Sequence, residues 1–204
     1  MKIRFPAVMG SAVKVSVIVA LVVYTSLSVA NGQPRHSPAY INAARKFQWI
    51  ADNGRSPRPS TRPVVIFARE WNAFLNEGGV ALPDGVSNVR LSSQPAVIHG
   101  EAEVDFDRLT AGRTRNNPLL SLFTGRHHVT VIAQAAAANG IGTVRVESVA
   151  FDGVEVPRFA LEYFSNRYLR PRYGSAVGMD STFRLHSHID AAILGRDQVT
   201  VTQR

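Results

Sequence analysis

This chain of 204 residues has six histidines, fifteen acidic residues and no cysteine. Disulfides, thiolate metal sites and thiol nucleophiles are therefore excluded. His186 and His188 share a face if residues 182–194 form a strand, and such an H-x-H pair can chelate zinc or copper. His127 and His128 point to opposite faces of a strand, so only one of them could join that pair. No H-E-x-x-H or comparable motif accompanies these histidines, and ordinary hydrogen-bonding roles are the simpler account. Glu101, Glu103, Asp105 and Asp107 alternate along another predicted strand. Clustered carboxylates bind calcium or do acid/base work, but a solvent-facing strand face has the same alternation. There is no G-x-S-x-G elbow. Asn139-Gly140-Ile141-Gly142 joins two strands and so lacks the helix N-terminus that would hold a phosphate. These residues predict a protein that is not an enzyme and takes no metal or cofactor.

Two other groups of residues suggest binding. Arg167, Tyr168, Arg170 and Arg172 cluster near the end of a predicted helix. Guanidinium groups beside aromatic rings hold phosphate or a lipid headgroup, and cations also complement a helix C-terminus without any ligand. Ala133, Ala135, Ala137 and Gly142 leave space above one face of a predicted hairpin, which either a closely packed helix or an apolar cavity can occupy. Val131, Ala133, Ala135, Val144 and Val146, with Leu120 and Phe123 from the apolar cluster 119–123, are the candidate groove residues.

The elements that position these groups centre on that hairpin. Two β-patterned runs, 128–138 and 141–150, flank Asn139-Gly140, the pair favoured by a type I′ turn because both residues need φ > 0. A two-residue loop predicts Ala135 opposite Val144, Ala133 opposite Val146, Val131 opposite Ser148 and Val129 opposite Ala150. Gln134–Arg145, Ile132–Glu147 and Thr130–Val149 fall on the other face. Asp152-Gly153 is a further turn signal, but a two-residue loop there pairs Ala150 with Glu155 and puts a charge on the presumed core face. A bulge, or the end of the sheet, would remove that conflict.

Before the hairpin, Ile41, Ala44, Phe47 and Ile50 form a helical stripe closed by Asn53-Gly54, and residues 68–76 form a second helix carrying Trp71, Phe74 and Leu75. Residues 86–91 and 96–106 alternate so that Val89, Leu91, Ile98, Ala102, Val104 and Phe106 share one face. After it, Pro157 opens a helix with Leu161, Phe164, Tyr168 and Leu169 on one side, stopped at Arg170-Pro171. Two last strands, 182–194 and 198–201, lie around Gly195.

The N-terminus has the form of an export signal: Lys2, Arg4 and Lys14, the apolar run 15–23, and Ser28-Val29-Ala30 as a cleavage site. An uncleaved anchor is the alternative. Those thirty residues hold three of the 23 basic residues and no acid, leaving 20 basic against 15 acidic. This mild excess permits attraction to an anionic membrane surface and implies no nucleic-acid partner. The organisation predicted is a signal peptide over 1–30, a linker and basic amphipathic helical arm over 31–63, and one α+β domain over 64–204. In that domain a long curved antiparallel meander packs against or around one or two helices.

The segment Ile66-Phe-Ala-Arg-Glu-Trp-Asn-Ala-Phe-Leu75, followed by the Val89-x-Leu91 and Ala102-Glu-Val-Asp-Phe106 strands, resembles the opening of bacterial envelope proteins of the AsmA-like, half-TULIP and LmeA-like kind. The resemblance rests on element order from Val64 to Arg204, without a long central helix. It implies a sheet curled around a helix, with an apolar groove for lipid. The sequence thus leads to an exported periplasmic or envelope-associated protein that binds lipid or another amphipathic ligand. An envelope scaffold or interaction module without a ligand is the alternative, and a metal-dependent hydrolase around His186 and His188 a more distant one. Ligand identity and oligomeric state are not readable from the residues.

Overall fold

A computed structural model describes residues 36–110, 118–173 and 178–204; the residues read as an export signal lie outside them. Helix α1 (Pro38–Asn53) precedes strand β1 (Val64–Phe67) and helix α2 (Ala68–Asn76). Strands β2 (Val86–Gln94) and β3 (Val97–Asp105) lead to a short helix α3 (Phe106–Leu109) and a 3₁₀ helix (Pro118–Phe123). Then come β4 (Arg126–Ala138), β5 (Ile141–Phe151), β6 (Val154–Glu155), helix α4 (Arg158–Phe164), a π-helical turn (Ser165–Leu169) and α5 (Arg170–Tyr173). Strands β7 (Asp180–Arg184), β8 (Ile189–Gly195) and β9 (Gln198–Gln203) end the chain. The fold is α+β. One antiparallel sheet has the order β2-β3-β4-β5-β6, with β7 also on the β5 edge, and a second has the order β1-β9-β8.

The β4–β5 hairpin turns at Asn139 (φ 54) and Gly140 (φ 74), as a type I′ turn requires. Ala135 pairs with Val144 and Ala133 with Val146, but beyond Ala133 the register shifts, and Ile132 faces Ser148 rather than Glu147. Val131 faces Val149, not Ser148, and Val129 faces Phe151, not Ala150. Glu147 is the extra residue of a bulge, and its carboxylate accepts from Gln134 Nε2 at 2.5 Å. The straight register would have buried Ser148 and exposed Val149, whereas the bulge turns Val149 and Phe151 inward, 8% and 7% exposed. It also resolves the conflict at Asp152-Gly153. Ala150 does pair with Glu155, but the pair now lies on the outer face, where Glu155 is exposed.

The space above the small residues is filled by side chains, not by a helix. A Cβ on Gly142 would stand 2.6 Å from the Phe183 ring, with Leu185 close behind. The hairpin tip is also held to the second sheet, where Gly140 N–H donates to Asp190 O of β8 at 2.9 Å, while Leu185 N–H, just past β7, donates to Gly140 O at 2.8 Å.

The presumed strand 182–194 is two strands in different sheets, β7 on β5 and β8 on β9. Ser187 (φ 57) and His188 (φ 54) break it. His186 and His188 therefore flank a turn, and the one-face geometry assumed for an H-x-H ligand pair does not arise. Gln203 Nε2 fastens this turn by donating to Ser187 O and to Ile50 O (2.5 and 2.8 Å), tying it to the end of α1. Gly54 caps α1 in the right-handed region (φ −68). Its lack of a side chain serves close approach, since a Cβ there would collide with the Ser187 backbone.

Helix α1 shares the core with the elements after residue 63. Its Phe47 ring meets Phe74 of α2 at 4.7 Å, and Lys46 Nζ reaches the buried Glu70 carboxylate at 2.6 Å. Glu70 also accepts from the Phe67 N–H at 2.9 Å, capping α2. Asn72 and Asn76, one turn apart on α2, close the edge of β2. Asn72 accepts from Leu91 N–H and donates to Leu91 O, both at 2.8 Å. Asn76 does the same with Val89, at 2.9 and 2.6 Å. Each carboxamide thus stands in for the peptide group of a missing neighbouring strand, which otherwise leaves an edge open to pairing.

Candidate ligand-binding cavity

An apolar cavity of about 210 Å³ lies on the inner face of the six-stranded sheet. Its floor is Val131 of β4 with Val144, Val146 and Val149 of β5. Leu161, Phe164 and Leu169, from α4 and the π-helical turn, form the opposite wall. Alternation supplies these valines from one strand face, and the Glu147 bulge adds Val149 and Phe151 to the same face. Phe123 closes one end, stacked on Phe164 with ring centroids 4.1 Å apart and edge-on to Phe151 at 5.5 Å. Ser165 and Ser181 are the polar side chains in the lining.

Of the residues proposed for the groove, Val131, Val144, Val146 and Phe123 line the cavity. Ala133 is fully buried and Ala135 packs against the core, neither of them in the lining. The side chain of Leu120 lies outside the described part of the structure, as does that of Arg172. The opposite wall was readable as the Leu161/Phe164/Leu169 stripe, although nothing in the sequence placed it over the hairpin. Leu82, Pro83 and Val86, at one mouth, carry no signal that would have marked them.

The helix does not stop at Arg170-Pro171. Arg170 N–H donates to Ser165 O, five residues back, and α5 continues to Tyr173. The wide turn restarts the hydrogen-bond ladder, so Pro171 falls in the first turn of α5, where its missing N–H has no helical partner to lose. Such single π turns are frequent at functional sites.

Polar niches adjoin both mouths. One, of about 140 Å³, is lined by Arg158, Glu162, Asn166, Arg170 and Asp180, and it shares Ser165, Gly178 and Met179 with the cavity. Arg158 Nε donates to Glu162 Oε1 at 2.8 Å and Nη2 to Asp180 Oδ2 at 2.7 Å, while Arg145 Nε lies 3.4 Å from Asp180 Oδ1. The hydrogen bond to Glu162, aided by Asp180, raises the Arg158 guanidinium above its ordinary value. The other niche, of about 320 Å³, holds Asp84, Glu103, Asp105, Arg108 and Arg126 and shares Leu82, Pro83 and Val86 with the cavity. Among the predicted headgroup residues, Arg170 lines the first niche. Arg167 is exposed and lines none of these spaces, and Tyr168 stacks behind Phe164 at 5.6 Å.

His127 stands beside the Phe106 and Phe151 rings at 5.9 and 5.6 Å. Its Nδ1 meets Asp152 Oδ2 at 2.6 Å and its Nε2 the Thr124 carbonyl at 2.8 Å. His128 Nδ1 meets Glu103 Oε1 at 3.1 Å. Among the described residues no group of three or more His, Asp or Glu side chains is arranged to hold a metal, and no helix is long and apolar enough to cross a membrane. Compared with known protein families, curated proteins and solved structures, the chain matches none.

Proposed function

We propose that this is an exported, non-catalytic protein of the cell envelope that holds the hydrocarbon part of an amphipathic ligand in the cavity under its six-stranded sheet. The observation that carries the reading is the cavity's lining: about 210 Å³ walled by valine, leucine and phenylalanine side chains, with polar niches at its mouths. It is larger than the ~150 Å³ apolar cavity that admits benzene and smaller than the ~300 Å³ at which drug-sized pockets begin. Each methylene buried there contributes roughly 0.8 kcal/mol, so a short chain gains on the order of a few kcal/mol, which suits reversible holding better than permanent sequestration.

The test is mass spectrometry of an organic extract of the purified protein, together with titration by a fluorescent apolar probe. The reading expects a co-purifying amphiphile or saturable probe binding, abolished by Val146→Trp, which fills the cavity. An extract free of lipid, combined with probe binding that Val146→Trp leaves unchanged, would overturn it.

A further inference from the structure

We infer, independently of the cavity and sharing with the proposed function only the envelope location, that the face made by the outer side of α1, the segment 54–63 and the start of α2 docks on an anionic phospholipid surface. The charge of the chain is divided unevenly. Residues 36–69 hold six basic side chains and one acidic, Asp52, whereas residues 70–204 hold thirteen basic against fourteen acidic. Past Ala30 the positive excess therefore lies entirely before Glu70. Lys46 is paired with Glu70 and Arg55 with Asp52. Arg45, Arg58, Arg62 and Arg69 are exposed and pair with no carboxylate among the described residues. The β8–β9 turn meets this face where Ala68 N–H donates to Asp197 O at 2.8 Å. It brings one acid and one base, Asp197 and Arg196, and so leaves the balance unchanged.

The same face carries exposed aromatic rings. Helix α1 turns Ala43, Phe47 and Ile50 into the core. Lys46, Trp49 and Asn53 follow at spacings of three and four and share one flank of the helix. Lys46 Nζ lies 5.1 Å from the Phe67 ring centre. Asn53 holds Ser60 by two hydrogen bonds, Nδ2 to Ser60 O at 2.9 Å and Ser60 N–H to Oδ1 at 2.8 Å. Residues 60–67 thus run along that flank, with Trp49 beside them, and Arg62 lies in the same stretch. Trp49 and Phe67 are 38% and 39% exposed, and the Arg69 guanidinium stands 5.4 Å from the Phe67 ring. Unpaired arginines alone would suit any polyanion. Tryptophan among them is what a bilayer interface favours, because the indole seats between headgroup and acyl chain while the cations meet anionic lipid. The exposed Phe159 on α4 is flanked in the chain by Glu155, Arg158 and Glu162 and has no such excess of charge.

The experiment titrates the protein, as the producing cell processes it, with vesicles carrying brominated acyl chains and follows quenching of tryptophan fluorescence. One set of vesicles is phosphatidylcholine alone and the other is about one-third phosphatidylglycerol, in about 0.1 M salt. Quenching is expected on the anionic vesicles and not on the neutral ones, and it should fade in about 1 M salt. It should disappear in Trp49→Phe, because Trp71 is buried, 6% exposed. Each arginine at the surface is worth about fivefold in partitioning, so Arg58→Gln with Arg62→Gln should weaken it about 25-fold. Phe159→Ser should leave it unchanged. Equal quenching on both kinds of vesicle, or on neither, overturns the inference. So does quenching that survives the double arginine variant, or that is lost in Phe159→Ser. A DNA duplex that binds where the anionic vesicles do not would assign the arginines to another polyanion and overturn it as well. The cavity is tested separately, by the apolar probe in vesicle-free solution, so either result can fall without the other.

Discussion

The two halves of this molecule treat polar groups in opposite ways. Around α1, α2 and the three-stranded sheet, buried polar side chains are used as fasteners. Glu70 joins Lys46 to the start of α2, Gln203 joins α1 to the β7–β8 turn, and Ser93 Oγ donates to Gly195 O at 2.8 Å across the two sheets. Under the outer half of the six-stranded sheet the walls are hydrocarbon, and charges are held back to the mouths. A protein interior that is everywhere cross-linked by specific hydrogen bonds has one packing. An apolar wall without them leaves shape and volume to decide what it contacts. The first half fixes the sheet, and the second leaves the apolar space that the proposed ligand would occupy.

The largest effect expected on this contrast comes from Glu70→Ala. It strands a partly buried ammonium and removes the α2 cap, and should cost about 3–5 kcal/mol in chemical denaturation. If the loss is below about 1 kcal/mol, Glu70 is not the fastener described. Next is a matched pair of enlargements on neighbouring strands. Ala133→Val, at a position with no exposure, should destabilise by about 1–3 kcal/mol through overpacking. Val146→Leu, which extends into the cavity, should shift stability by less than about 1 kcal/mol while weakening binding of the apolar probe. Equal losses would mean that the cavity floor at Val146 is packed as tightly as the buried position of its cross-strand partner Ala133.

The smallest effect is that of pH. The hydrogen bond from His127, supported by the His128 backbone N–H, holds the Asp152 carboxyl below its ordinary value. A lowered folded value means this contribution is complete above the unfolded value, about 3.9, and is lost as pH falls through the folded one. Asp152→Asn should therefore flatten the acid limb of the stability curve below about pH 4 and leave the neutral plateau nearly unchanged, because the group is exposed. An acid limb identical to that of the parent protein would remove the role given to this pair.

The fold was legible wherever local chemistry decides it. Asn139-Gly140 set the turn, alternation set the shared face of Val89 to Phe106, and the limits of α2 followed from Trp71, Phe74 and Leu75. What escaped was set at a distance. No local pattern marks Glu147 as a bulge; the one trace was the misfit of Ala150 against Glu155, which begins three residues further along β5. The turn at Ser187 and His188 depends on Gln203, sixteen residues beyond Ser187, and the pairing of Asn72 and Asn76 with β2 depends on docking. The valines of the cavity were visible, but its opposite wall was not, because a helical stripe names a buried face without naming what it faces.

The Glu147 bulge also has an evolutionary meaning. Because the strand period is two, one residue inserted or removed there inverts every side chain between it and Asp152. Deleting Glu147 would send Val149 and Phe151 outward, bring Ser148 and Ala150 in, and replace that end of the greasy lining at a single genetic stroke. Substitutions alone would need several coordinated changes to do as much. Among chains built on this plan, the length of β5 between Asn139 and Asp152 should therefore sort guest-holding forms from sealed ones better than sequence identity does.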